Sequence, residues 1–140
     1  MNPLEKEFAP YAESLELKAL GFDEPCFGWW FVDEEMLIIE KSKKSTSENI
    51  IQAPTFSQAF RFFREKYGLR NSITDFIDDE TGIEWDYEIA IIGTDLDERG
   101  NYKPLVDYST DDEIRKFKTY EEAELACLRK LIEIVKSNKS

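Results

Sequence analysis

Apolar residues between Thr55 and Gly68 recur with the spacing of an amphipathic helix. They occupy positions i, i+3, i+4, i+7 and i+11, and are Phe56, Ala59, Phe60, Phe63 and Tyr67. This spacing places them on one helix face. Thr55 fits the N-cap position, and Gln58 three residues later completes a capping box. Gly68 is suited to end the helix, because glycine adopts the left-handed conformation at little cost.

A second amphipathic run begins with the same chemistry, because Thr119 is followed three residues later by Glu122. Its main apolar face consists of Tyr120, Ala123, Cys127, Leu128, Leu131, Ile134 and Val135. Leu125 and Ile132 extend this face sideways. We expect a helix with so wide an apolar face to lie at the centre of the core or to contact a partner.

Short strand-like runs precede each helix and are separated by polar turns. They cover residues 26–32, 36–41 and 49–54 before the first helix, and 73–78, 83–92, 102–108 and 114–118 before the second. From Glu84 to Ile91, acidic or small residues alternate with apolar ones. This alternation predicts a strand with one buried face and one solvated face.

The order of these elements predicts an α+β protein. We expect two successive halves, each an antiparallel β-meander followed by a helix, which together form one sheet-and-helix layer domain. The first half covers residues 22–70 and the second 71–136, after a short N-terminal helix within residues 1–21 and before a tail at 137–140. A length of 140 residues suits a single domain.

A resemblance to a known group rests on three blocks of sequence. The blocks are Leu17–Trp30 (LKALGFDEPCFGWW), Ala53–Leu69 (APTFSQAFRFFREKYGL) and Phe117–Lys136 (FKTYEEAELACLRKLIEIVK). They resemble small acidic proteins of phages and integrated mobile elements of Bacteroidetes-type bacteria. That group has no established activity, so the resemblance implies no catalytic or binding residue. It implies the setting of a small accessory protein that acts inside a bacterial cell.

Negative charge is concentrated in one segment of the chain. The net charge is −12, and residues 71–113 contain 14 acidic side chains against only Arg99 and Lys103. The remaining 97 residues contain 16 acidic and 16 basic side chains and are therefore neutral. Direct binding to nucleic acid or to an anionic membrane is disfavoured, because the acidic segment repels phosphate groups.

The composition also limits the chemistry. Histidine is absent, which removes the commonest general base near neutral pH and the commonest metal ligand. We therefore predict no catalytic residue, no cofactor and no metal. Cys26 and Cys127 are expected to be buried, reduced thiols of a cytoplasmic protein. The N-terminal residues do not have the pattern of a secretion signal, and no apolar run reaches the length of a membrane-spanning helix.

The leading functional hypothesis is a non-catalytic protein-interaction module that forms a homo-oligomer, for example a dimer, or binds a host protein. Phe62, Leu125 and Ile132 are predicted to contribute contact surface. Trp29 and Trp30 are adjacent, so on a strand they face opposite ways. One of them must therefore leave the core face, and it is either covered by the N-terminal helix or exposed as an anchor.

Two alternatives depend on the acidic segment. In the first, Glu84, Asp86 and Glu88 form a row on one strand face that imitates the phosphates of nucleic acid and binds a basic host protein. Acidic outward faces also simply keep sheets soluble. In the second, the protein is an enzyme in which Asp75, Asp79 and Asp86 line a cleft and hold a divalent metal.

Overall fold

The computed structural model describes residues 3–43, 49–96, 98–100, 102–107 and 116–139. After a 3₁₀ turn at Pro3–Glu7, the elements follow in the order α1 Tyr11–Ala19, β1 Cys26–Phe31, β2 Met36–Lys43, β3 Ile50–Ala53, α2 Phe56–Tyr67, β4 Leu69–Asp78, β5 Gly82–Leu96, β6 Tyr102–Asp107 and α3 Tyr120–Lys139. The predicted α+β class, the antiparallel pairing and the short N-terminal helix are confirmed.

The strands are divided between two sheets. The first has the order β2-β1-β3 and the second the order β4-β5-β6, and all neighbouring strands are antiparallel. Each predicted half therefore contributes a sheet of its own. β4 begins four residues before the predicted strand, because Leu69 already pairs with Ile91.

The chain forms two compact units. Unit one contains Met1–Phe62 and Ile132–Ser140, and unit two contains Phe63–Leu131. The division differs from the predicted boundary near residue 70, since α2 and α3 each contribute residues to both units. The first sheet belongs to unit one and the second sheet to unit two.

One face of the first sheet forms part of the core of unit one. Ile51 and Ala53 on this face are buried, as are Phe8 and Leu17 from the N-terminal part of the chain. Gly28 lies on the same face, where a Cβ atom would come within 3.2 Å of the Phe8 ring and 3.0 Å of a backbone oxygen. Glycine is therefore needed here for the close approach of Phe8 to the sheet.

The apolar stripe of α2 is buried as the sequence predicts. Phe56, Ala59, Phe60 and Phe63 are all less than a tenth exposed, and Tyr67 is half-buried. The capping box is also confirmed. The Gln58 N–H donates to Thr55 Oγ1 at 3.2 Å, and the Thr55 N–H donates to Gln58 Oε1 at 3.1 Å. Gly68 follows the helix with φ +69°, which relieves the strain of ending there.

The start of α3 departs from the predicted box in one bond. The Glu122 N–H donates to Thr119 Oγ1 at 3.1 Å, as expected for the N-cap. The Glu122 carboxylate accepts its bond from the Lys118 N–H at 3.2 Å, which lies one residue before the cap. The preceding run at 114–118 was predicted as a strand. Within the part of it that the structure describes, Phe117 forms a single bridge with Trp85, and residues 114 and 115 lie outside the described residues.

We expect Thr119→Ala to lower the free energy of unfolding by about 1 kcal/mol, because the substitution removes the N-cap hydrogen bond of α3. Thr119→Ser is the matched control, since it retains the hydroxyl and should change stability by only a few tenths of that amount. Urea unfolding followed by circular dichroism measures both. Equal losses in the two variants would contradict the assignment of the cap.

Candidate interaction surface

An exposed apolar pair lies near the tip of the β4–β5 hairpin. Ile77 and Ile83 are directly opposite each other in the register, and their side chains are 81% and 61% exposed. Trp85 lies two residues after Ile83 and therefore projects from the same sheet face. The hairpin itself is closed by Gly82, whose φ of +87° disfavours any other residue.

Aromatic rings continue this apolar surface. The Trp85 ring meets the edge of the Tyr120 ring with 5.4 Å between centroids, and Tyr120 is 41% exposed. On the same face Tyr87 is buried and stacks on Phe117. We define the hairpin patch as Ile77, Ile83, Trp85 and Tyr120. It is an accessible apolar surface supported by a packed aromatic layer.

Acidic groups surround the hairpin patch. Asp75 is exposed and lies opposite Trp85 in the register, and Asp79 and Glu80 are exposed in the adjoining turn. Burial raises the pKa of Tyr120, and the negative charge of Glu124 beside it raises that pKa further. An apolar centre with a rim of carboxylates is complementary to a partner with apolar side chains flanked by lysine or arginine.

Two ion pairs hold Lys116 and Lys118 against the second sheet, one at the end of β4 and one on β5, on the face opposite the hairpin patch. Lys118 Nζ and Glu84 Oε1 are 2.5 Å apart, and Lys116 Nζ and Asp78 Oδ2 are also 2.5 Å apart. Between them, Phe117 and Trp85 exchange two backbone hydrogen bonds of 2.9 and 2.8 Å. We call residues Lys116–Lys118 the clasp. The clasp holds Phe117 and the start of α3 next to Trp85, so it positions the hairpin patch.

The ion pairs of the clasp alter the ionisation of their members. The hydrogen bond from Lys116 is the main cause that holds the pKa of Asp78 well below its usual range, and it also raises the pKa of Lys116. The hydrogen bond from Lys118 lowers the pKa of Glu84. Glu84 is only 1% exposed, and desolvation opposes this shift without reversing it.

The clasp should therefore loosen in acid. Because Asp78 and Glu84 have lower pKa values when folded than when unfolded, their stabilisation is present above about pH 4 and is lost as the pH falls through the folded values. We expect Asp78→Asn to lower the midpoint of thermal unfolding at pH 7, and to lower it by progressively less as the pH falls below about 4. Asp79→Asn in the same turn is the control. A difference that stays constant with pH would contradict the role of the ion pair.

The predicted row of phosphate-like carboxylates is wrong for its first member. Glu84 is only 1% exposed and is paired with Lys118, so it is not presented to a partner. Asp86 is half-buried, and one of its carboxylate oxygens accepts the N–H of Tyr87 at 2.7 Å. Glu88 is exposed as predicted. The sequence pattern placed the three acids on one face correctly, but it could not show that the clasp covers part of that face.

The predicted metal cleft is not formed. Asp75 pairs with Trp85 and Asp86 with Thr74, so Asp75 and Asp86 project from opposite faces of the second sheet. Asp79 lies in the exposed turn. Among the described residues, no group of three or more Asp, Glu or Cys side chains is arranged to hold a metal ion.

Two of the residues predicted to form contact surface are core residues. Phe62 is 8% exposed and packs edge-on against Phe22, and Ile132 is 5% exposed. Both residues lie beside the apolar stripes of their helices. They were predicted to be exposed, but each helix buries a face wider than its stripe. Leu125 is half-buried. Trp30 is half-buried. The N-terminal part of the chain covers it, since the indole N–H of Trp30 donates to the Ala9 carbonyl at 3.1 Å.

Trp29 belongs to a second apolar surface, which sequence reasoning did not identify. We define the outer face of the first sheet as the side that carries Trp29, Phe31, Met36, Ile38, Ile50 and Gln52 in the register, together with Phe27 at the register shift beside them. Phe27 and Met36 are 55% and 45% exposed, and the others are half-buried. The signal was present in the sequence, because β1 (CFGWWF) lacks the polar alternation of a strand with one solvated face.

Neither cysteine resembles an activated nucleophile. Cys26 and Cys127 are both free and buried, as the sequence predicts. Burial, with a smaller contribution from the charge of Glu24, raises the pKa of the Cys26 thiol to about 12. The reactive thiolate form is therefore scarce near neutral pH.

No helix in the described part of the chain is long and apolar enough to cross a membrane. Comparisons with protein-family models, with curated proteins and with solved structures find no match to this chain. The functional conclusion therefore depends on the surfaces of the molecule itself.

Proposed function

We propose that this protein is a non-catalytic interaction module that binds a basic partner protein through the hairpin patch. The observation that carries the proposal is the exposure of Ile77 and Ile83, which form an apolar pair at 81% and 61% accessibility next to Trp85. Exposed apolar clusters rimmed by charge are typical of protein-binding sites. Tryptophan and tyrosine at the centre of such a surface supply much of the binding energy.

The charge distribution favours a basic partner. Residues 71–113 hold a charge of −12, which equals the net charge of the whole chain. A basic protein is attracted by this charge, whereas a second copy of the same surface is repelled. The resemblance to accessory proteins of phages and mobile elements supports a host protein in the bacterial cytoplasm as that partner. We place the module there as part of the same proposal.

The proposal is tested by replacing the apolar pair. Partners captured from bacterial lysate by the wild type should be lost with the double variant Ile77→Ser and Ile83→Ser. They should be kept with Leu15→Ser, a control that removes an exposed leucine from α1. Binding should also weaken steeply between low and high salt, because charged rims are screened. Retention of the same partners by the double variant would overturn the proposal.

Self-association through the outer face of the first sheet is a second candidate function. The observation that favours it is that apolar side chains predominate on that face, with Gln52 as its polar member, since sheets pack face to face through apolar surfaces. Sedimentation at about 100 µM would detect an oligomer, and the double variant Phe27→Ser and Met36→Ser should convert it to a monomer. A wild type that sediments as a monomer rules this candidate out without affecting the hairpin patch.

A further inference from the structure

β4 is a long, regular strand at the edge of its sheet. It pairs with β5 over ten residues, from Leu69 opposite Ile91 to Asp78 opposite Gly82, without a register shift. Its other side has no neighbouring strand in the sheet order β4-β5-β6. Among the described residues, the β4 backbone takes part in no hydrogen bond outside this pairing. In the part of the chain that the structure describes, the side of β4 away from β5 therefore has no backbone partner.

The hydrogen bonds of Trp85 identify which β4 residues face that side. Both the N–H and the C=O of Trp85 bond to Phe117, so they point away from β4. Asp75, the residue opposite Trp85, is therefore in a non-hydrogen-bonded pair, and its own N–H and C=O point to the free edge. Since this direction alternates along a strand, Asn71, Ile73 and Ile77 also present their backbone groups there.

The free edge lacks several of the features that protect edge strands, and its protection comes from charged side chains. Natural edges are blunted by proline, by charged side chains and above all lysine, by a bulge or by a short strand. β4 (LRNSITDFID) contains no proline and no lysine, and its pairing with β5 is regular. Every residue from Arg70 to Asp78 is exposed or half-buried. An edge of this kind can accept an extended peptide as an additional strand.

We propose that an extended segment of the basic partner pairs with the free edge of β4 and adds a strand to the second sheet. This inference rests on the proposed function and specifies how the partner is bound. Alternate side chains of the added strand would lie beside Ile73 and Ile77 and continue the hairpin patch, which favours valine or isoleucine there. Lysine or arginine in the segment would meet Asp75 and the acidic turn at Asp79 and Glu80.

The direct test is amide hydrogen exchange of the wild type with a synthetic probe. The probe is a peptide of about nine residues in which valine alternates with lysine, a common length for a strand. In the free protein, the N–H groups of Ser72 and Thr74 should exchange slowly and those of Ile73 and Asp75 fast. The peptide should slow exchange at Ile73 and Asp75 by at least about tenfold, and the same peptide with glutamate in place of lysine should not.

Substitutions at Ile73 separate backbone pairing from side-chain contact. Ile73→Pro removes an N–H that faces the free edge and leaves the bonds to β5 intact, as proline is tolerated on edge strands. It should weaken peptide binding about tenfold or more, whereas Ile73→Ala, which keeps the N–H, should weaken it less. Circular dichroism verifies that both variants fold, and the exchange experiment on the wild type stands independently of them.

The outcomes distinguish this inference from the proposed function. If the peptide binds and the double variant Ile77→Ser and Ile83→Ser reduces binding, but Ile73 and Asp75 show no slower exchange, strand addition is wrong and the hairpin patch remains a binding surface. Failure of the lysine peptide to bind below about 1 mM overturns strand addition by a basic segment. Loss of the lysate partners on the Ile77 and Ile83 substitutions would still uphold the proposed function.

Discussion

Ala123→Asp is expected to reduce the free energy of unfolding by at least about 3 kcal/mol, because it places a carboxyl group in the core. Ala123 has no exposed surface and lies on the apolar face of α3 between Tyr120 and Cys127. An unpaired carboxylate at this position must either lose its hydration or bind a proton, and each is unfavourable. For a protein of this size such a loss is a large part of the total stability.

The matched control is Ala126→Asp. Ala126 is only half-buried, three residues further along the same helix, so its new carboxylate can reach water. It should cost less than about 1 kcal/mol, mainly through the lower helix propensity of aspartate. Urea unfolding measured by circular dichroism compares the two variants. If Ala123→Asp and Ala126→Asp were equally stable, the burial of this face of α3 would be incorrect.

Phe63→Ala is expected to cost about 3–5 kcal/mol, the range for removal of a fully buried aromatic side chain. Phe63 has no exposed surface, and its ring lies 6.1 Å from that of Tyr67 on α2. Truncation removes apolar contact and leaves a cavity that the rigid helix can fill only in part. The loss should appear as a lower midpoint of urea unfolding with an unchanged slope.

Phe27→Ala is the control for the chemistry of this substitution. Phe27 is 55% exposed on the outer face of the first sheet, so its truncation should cost less than about 1 kcal/mol. If Phe63→Ala and Phe27→Ala lowered the free energy of unfolding by similar amounts, the two rings would have to be equally buried. They are not equally buried in a single copy of the chain, because Phe63 has no exposed surface and Phe27 is 55% exposed. In that case Phe27 would have to be covered by another molecule, as the second candidate function requires.

The sequence predicted the helices well because their signals are local. The stripe of α2, the N-caps Thr55 and Thr119 and the end of α2 at Gly68 depend on residues within one or two turns. Strand pairing depends on distant residues, which explains why the extension of β4 to Leu69 was not predicted. The bond that the Lys118 N–H donates to the Glu122 carboxylate is local, but it depends on the chain conformation before the cap, where Phe117 is bonded to the distant Trp85.

The candidate site was largely hidden from sequence reasoning. Ile77 and Ile83 are separated by a turn, and only the register of the hairpin brings them together as an exposed pair. Glu84 has the same pattern as Glu88 in the sequence, yet one is covered by Lys118 and the other is exposed. Lys118 is 34 residues away from Glu84, and no local periodicity can indicate such a contact.

The acidic residues around the free edge of β4 also have a consequence for solubility. A regular edge strand of ten residues without proline or lysine can act as a template on which identical chains polymerise into fibrils. Asp75, Asp79 and Glu80 repel the same residues of another copy, so at neutral pH they act as gatekeepers against this assembly. The protein therefore has an edge strand that can accept a partner, and its solubility depends on the negative charge beside that strand. Neutralising these carboxylates would weaken the attraction of a basic partner and remove the barrier to fibril growth at the same time.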